Sequence, residues 1–273
     1  PLMRKKGVVK PFIIFLFIIL AYLPTLAWMV SRWVAPETYY GHGFLVPIIS
    51  LFIIFRKRKE LSQLKINPSG AGWFFFLAGI IIHIISALLN IYFSSGFSLI
   101  LALIGVVLLF LGRDYLKRLL FPLLFLVFMI PLPLVLISNL TFKLKIFASQ
   151  AATTTLNTIG IWAVREGSII QTNHSFIVLE DPCSGMGSLI AFIALGALMA
   201  YFSSSNSKLK KAVLFTASFP IAVSSNIIRI LLLSIASEIY GQKLTTGIFH
   251  DIAGILVFIF TFLGLLILEK ILG

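Results

Sequence analysis

Long apolar runs recur along this chain, and they fix the solvent in which it folds. They lie at residues 12–30, 43–55, 71–90, 96–112, 117–137, 184–202, 210–237 and 251–271. A hydrocarbon core of about 30 Å takes roughly 20 apolar residues per helix, and most of these runs meet that length. The run at 43–55 is short and reaches it only by starting near residue 41. Hydrophobic residues make up 59% of the 273, against 11% charged. A soluble domain of this size does not bury that much apolar surface, so lipid covers most of it. Strands left open to lipid would strand their backbone N–H and C=O groups, so the expected fold is all-α. It is a polytopic transmembrane bundle of about eight helices. An even number of spans puts both termini on one side.

The basic residues set the direction. The formal charge of +13 and a pI near 10.0 allow a nucleic-acid partner. In a membrane chain, however, they are what cytoplasmic loops carry, and no nucleic acid is expected. One set of segments holds Arg4, Lys5, Lys6 and Lys10, then Arg56 to Lys59 with Lys65, then Arg113, Lys117 and Arg118. It ends with Lys208, Lys210 and Lys211, and Lys270. The alternate segments hold only Arg32, Lys143, Lys145, Arg165 and Lys243. The positive-inside rule then puts both termini in the cytoplasm. The first apolar run has a basic flank but no small-residue cleavage site, so it reads as a retained span rather than a signal peptide.

One segment, 138–182, stays outside between spans five and six. Residues 138–160 space Leu140, Leu144, Phe147, Ala148, Ala151, Leu156 and Ile159 as on a helix, with Lys143, Gln150 and threonines between. That is an amphipathic helix at the outer interface. After it, "GSIIQTNHSFIVLEDP" has two β-prone runs about a polar turn, which predicts a small external hairpin. With no internal repeat or low-complexity linker, residues 1–273 read as one transmembrane domain.

Three polar residues then fall at one membrane depth. Cys183, the only cysteine, opens the sixth span at its outer end. Arg229 lies 18 residues beyond Lys211, about 27 Å up the seventh helix and so near the outer interface. His250 precedes the eighth span on the same side. Each has a bland reading: an inert small residue at a helix end, a side chain snorkelling to the headgroups, an interfacial polar contact. Chemistry offers another. A helix N-terminus or a neighbouring cation favours a thiolate at Cys183. His250 would take the thiol proton and return it to a leaving amine. Arg229 would hold the thiolate, a carbonyl oxygen or an oxyanion.

Other residues are weighed the same way. His42, between two glycines, fits a substrate groove or a structural helix start equally. His83, inside the third span, reads as a hydrogen-bonded core histidine despite its cost in lipid. Glu180, Asp181 and Asp251 are candidates to orient the imidazole. The sequon Asn173-His174-Ser175 is common by chance. A single cysteine excludes a disulfide framework and a multi-cysteine metal site. With no metal cluster and no glycine-rich phosphate loop after a strand, no cofactor is implied.

Four blocks together resemble the exosortase/archaeosortase family: "PCSGMGSL" at 182–189, "SNIIRILLL" at 225–233, "FHDIAG" at 249–254 and the early "YYGHGFLVPIIS" at 39–50. The likeness covers nearly the whole chain in the expected order. It implies a multi-pass protein of the plasma (inner) membrane, a cysteine protease or transpeptidase whose site faces the periplasm or exterior. Its partners would be membrane lipids and exported proteins with PEP-CTERM-like C-terminal sorting signals: a short motif, a transmembrane helix and a basic end. Cys183 is then the nucleophile, with Arg229 and His250 as its partners and Asn226 on the same helix face as Arg229. Pro182 stands where the family often has alanine, which bears on the subfamily and leaves the nucleophile intact. Two other classes compete. One is a lipid or glycan transferase with Cys183 as acyl carrier. The other is a transporter or scaffold, whose polar residues belong near the midplane rather than at one face.

Overall fold

The computed structural model describes residues 13–14, 16–35, 39–179, 185–205, 207–241 and 248–272, with backbone alone for 248–251. The chain divides into two compact units, 1–133 and 134–273.

In the first unit, helical residues 16–21 lead through Tyr22 into α1 (Leu23–Val34). A 3-10 turn at Gly41–Phe44 enters α2 (Leu45–Arg56). Helices α3 (Gly72–Leu88) and α4 (Tyr92–Phe110) form a hairpin whose bend holds Asn90 at φ +57°. Small residues let this pair close. A methyl group on Gly79 would stand 2.7 Å from the Ala102 nitrogen, and one on Gly105 2.5 Å from the Phe76 nitrogen. Close backbone approach of this kind is how helices pack where no hydrophobic drive separates protein from lipid.

His83 of α3 is satisfied, as its sequence context predicts. Its Nδ1 lies 2.8 Å from Ser95 Oγ, its ring stacks on Tyr22 at 3.9 Å, and Ser95 in turn bonds Thr25 at 2.6 Å. Tyr22 OH continues the network to Ser98 at 2.9 Å.

Helix α5 (Arg113–Phe125) runs into a 3-10 turn, Leu126–Met129, and stops. Ile130 is extended (φ −85°, ψ 113°) because it precedes Pro131. The sequence places one span over 117–137. The chain instead breaks at "IPLP" and restarts as α6 (Leu134–Thr158).

The second unit starts with α6, the amphipathic segment, which begins four residues before its expected start. It packs on a three-stranded antiparallel sheet of order β1-β2-β3, made of Ala163–Glu166, Ile169–Thr172 and Phe176–Val178. Strands β2 and β3 are the expected hairpin; β1 adds a strand. Helices α7 (Met186–Phe202), α8 (Lys208–Tyr240) and α9 (Ile248–Leu272) complete the unit. One core cluster joins Ala148, Ala152 and Leu156 of α6, Ile170 and Ile177 of the sheet, Ile230 and Leu233 of α8 and Ala253 of α9, and a second joins Ala200 of α7, Leu214 of α8 and Leu265 of α9.

Helices α4, α8 and residues 252–272 of α9 are long and apolar enough to cross a membrane, and α5 with its 3-10 turn and α6 pass that test together. Gly41–Arg56, α3 and α7 are apolar but shorter. Large apolar side chains remain on the surface, Phe74 at 73% and Leu88 at 77% exposure among them. This is the exterior of a helical membrane protein.

Candidate active site

The site is built on α8. Ser207 caps its start, its Oγ accepting from the Lys210 N–H at 3.4 Å, and 33 residues follow before Gly241 ends it. At 1.5 Å per residue the helix is about 50 Å long, well beyond a hydrocarbon core of about 30 Å. It carries Asn226 and Arg229 less than one turn apart, both buried, at 5% and 8% exposure.

Two glycines bring other elements onto that face. Gly185 holds φ +71° and is the N-cap of α7. A methyl group on it would lie 2.5 Å from Asn226 Cγ and 2.7 Å from Nδ2. The start of α7 therefore sits directly on the Asn226 amide, and only glycine supplies both the left-handed conformation and the room. Ser188 Oγ donates back to Gly185 O at 2.9 Å and braces the first turn of α7.

On the other side, a methyl on Gly254 of α9 would stand 3.9 Å from Arg229 Nη2. The guanidinium thus reaches α9 one turn past His250. Buried at 8% exposure, Arg229 is packed against a neighbouring helix rather than extended along an outer surface. Burying a guanidinium is expensive in lipid unless the site uses or compensates it.

Of the residues expected from sequence, Asn226 and Arg229 are thus adjacent. Cys183 lies outside the described residues, as do Glu180 and Asp181. The same holds for the side chains of His250 and Asp251, whose backbone belongs to the first turn of α9. His42 belongs to the first unit. There its ring stacks on Tyr40 at 5.6 Å and hydrogen-bonds the Phe128 backbone, and its buried Nε2 meets no partner among the described residues.

A crevice of about 10 Å³ adjoins Asn226, lined by Leu144, Ala148, Gly185, Leu189, Ala222 and Val223. It has room for about one water-sized group. The described residues hold no cluster of three or more side chains of metal-binding type.

Sequence reasoning did not single out Glu238. Its carboxylate accepts from Thr172 Oγ1 at 2.5 Å and from the His174 N–H at 3.1 Å, and its Oε1 lies 2.7 Å from His174 Nδ1. It ties the β2–β3 turn to the far end of α8. An acid closing a long apolar run was the available signal.

Fold and site together define a multi-pass membrane protein in which one long helix gathers the start of α7, two residues beyond the lone cysteine, and the helix whose first turn contains His250. Residues 28–267 match the transmembrane exosortase family, and the chain belongs to it. That family has a membrane transpeptidase- or protease-like role. No curated protein and no solved structure matches the chain.

Proposed function

We propose that this chain is a membrane-embedded cysteine protease or transpeptidase. It cleaves C-terminal sorting signals of the PEP-CTERM kind from exported proteins at the outer face of the plasma membrane. In this reading eight spans leave both termini in the cytoplasm. The observation that carries it is the meeting at Asn226 and Arg229 of two segments, one starting two residues after Cys183 and one, α9, whose first turn contains His250.

The chemistry needs three acts. The Cys183 thiol gives its proton to His250, and the thiolate attacks the scissile carbonyl carbon. The carbonyl electrons move onto oxygen, where the Arg229 guanidinium, charged throughout, offers fixed donors to the oxyanion. Collapse expels the amine, which takes the proton from His250 and leaves a thioester on Cys183. Water or a second amine then attacks the thioester and releases the product. Asn226, held by the Gly185 turn, orients the bound peptide beside the sulfur.

The test is co-expression with an exported protein bearing such a tail, read by intact mass. Cys183→Ala inserts in the membrane and leaves the tail uncleaved, and Cys183→Ser is nearly inactive. Full processing by the alanine variant removes Cys183 from the mechanism.

A further inference from the structure

The sheet has two edges, and they are not alike. Along β1 the outward backbone groups are those of Ala163 and Arg165, because Val164 and Glu166 pair with Gln171 and Ile169. Asn157 closes that edge at Ala163. Its Oδ1 accepts from the Ala163 N–H at 2.9 Å and its Nδ2 donates to the Ala163 carbonyl at 2.8 Å. The amide does what a neighbouring strand would do.

Along β3 the bonded pairs are Thr172 with Ser175, Ile170 with Ile177 and Ser168 with Leu179. The N–H and C=O groups of Phe176 and Val178 therefore point away from β2. No described residue pairs with them. Their side chains are half exposed, at 46% each, while Ile177 and Leu179 between and beyond them are buried in the core. An open edge with apolar side chains, in a sheet whose other edge is capped at Ala163, is a template for another strand. Its chain also leads straight to the site, since Cys183 follows Val178 by five residues, a reach of at most about 18 Å.

We infer that β3 is the substrate-docking edge: an extended segment of the polypeptide to be cleaved adds to the sheet along Phe176 and Val178. The inference rests on the proposed protease reading and names how that site takes its substrate. The occupant is the short motif preceding the tail's transmembrane helix. The helix itself satisfies its backbone internally and has nothing to give a strand edge. Main-chain bonds hold the motif, and Phe176 and Val178 contact alternate side chains of it.

The test separates backbone from side chain. Proline at an outward-facing edge position keeps the β2–β3 ladder but removes the outward N–H. Val178→Pro and Phe176→Pro should process the co-expressed tail-bearing protein at least about tenfold more slowly, the loss of one or two net hydrogen bonds. Val178→Thr and Phe176→Tyr should stay within about twofold of wild type, since they keep the backbone donor. Alkylation of Cys183 by iodoacetamide, unchanged in the proline variants, shows that the loop is intact.

Should alkylation change, amide hydrogen exchange in the full-length Cys183→Ala chain decides. The tail-bearing protein should slow exchange at Phe176 and Val178 and leave Ala163 unaffected. Proline variants with wild-type rates, or exchange at both positions unmoved by the tail, overturn strand docking. Processing by Cys183→Ala would instead overturn the protease reading, and exchange at the two amides still decides the docking.

Discussion

Gly185→Ala is the substitution whose effect the geometry fixes most tightly. Two separate terms add. A left-handed residue with a Cβ costs about 1–2 kcal/mol, and Gly185 sits at φ +71°. The new methyl would also stand 2.5 Å from Asn226 Cγ, where carbon atoms rest at about 3.5–4.0 Å. The turn or the Asn226 side chain must therefore yield by about 1 Å, and overpacking of that kind costs about 1–3 kcal/mol.

Gly160 supplies the control. It too is left-handed, at φ +88°, but a methyl there meets nothing within 4 Å. Gly160→Ala should thus lose about 1–2 kcal/mol and keep wild-type processing, strain being its only term. Gly185→Ala should lose about 1–3 kcal/mol more. It should also process its substrate about 100-fold more slowly, the usual effect of about 1 Å of misplacement next to the reacting groups. Denaturant unfolding in detergent measures the first quantity and intact mass of a co-expressed tail-bearing protein the second. Equal stability and equal rates in the two variants would refute the contact between Gly185 and Asn226.

Three further outcomes are expected. Arg229→Lys keeps the charge but loses the planar fork of donors. It should insert normally and process about 100- to 1,000-fold more slowly, as loss of an oxyanion donor does; near-native turnover would assign Arg229 to packing alone. Gly254→Ala, whose methyl meets Arg229 Nη2 at 3.9 Å, should be tolerated, whereas Gly254→Leu should displace the guanidinium and slow processing. Wild-type activity in the leucine variant would separate α9 from the site. In a Cys183→Ala background, single cysteines at Ser62 and Asn206 should be shielded from an impermeant external thiol reagent and one at Asn173 should react, the reverse pattern placing the site in the cytoplasm.

Composition and period made the helical body legible, because lipid admits few alternatives. Residues 138–160 read as an amphipathic helix from their spacing, and α6 is a helix there, although Leu140, Phe147 and Ile159 stay exposed while Thr141, Ser149 and Thr153 are buried. The β2–β3 hairpin was legible because "IIQT" and "FIV" flank a polar turn. Strand β1 was not. "AVRE" is too short and too mixed to declare itself, and it becomes a strand by pairing with β2 and by the grip of Asn157 on Ala163. The fifth span was read as one unbroken helix for a related reason. A hydropathy window averages "FMIPLPLV" into one apolar run, whereas Pro131 and Pro133 act locally by withholding two N–H donors and forbidding the α conformation at Ile130.

The candidate site divides along the same line. Ionisable residues in apolar runs announce themselves by their cost, so Arg229 stood out, whereas Asn226 came only from the family resemblance. What brings the start of α7 onto α8, however, is the absence of a side chain at Gly185, while Gly254 leaves Arg229 in ordinary contact with α9. Glycine in a membrane helix or turn is common enough to carry no signal of its own, and its meaning comes from the partner it admits. Gly79 and Gly105 admit a backbone and close a helix pair; Gly185 and Gly254 admit an amide and a guanidinium. The same residue type thus builds the scaffold in one unit and the polar pocket in the other. Only the neighbour's chemistry tells the two uses apart, and for that reason Gly185→Ala should disturb turnover where Gly160→Ala disturbs stability alone.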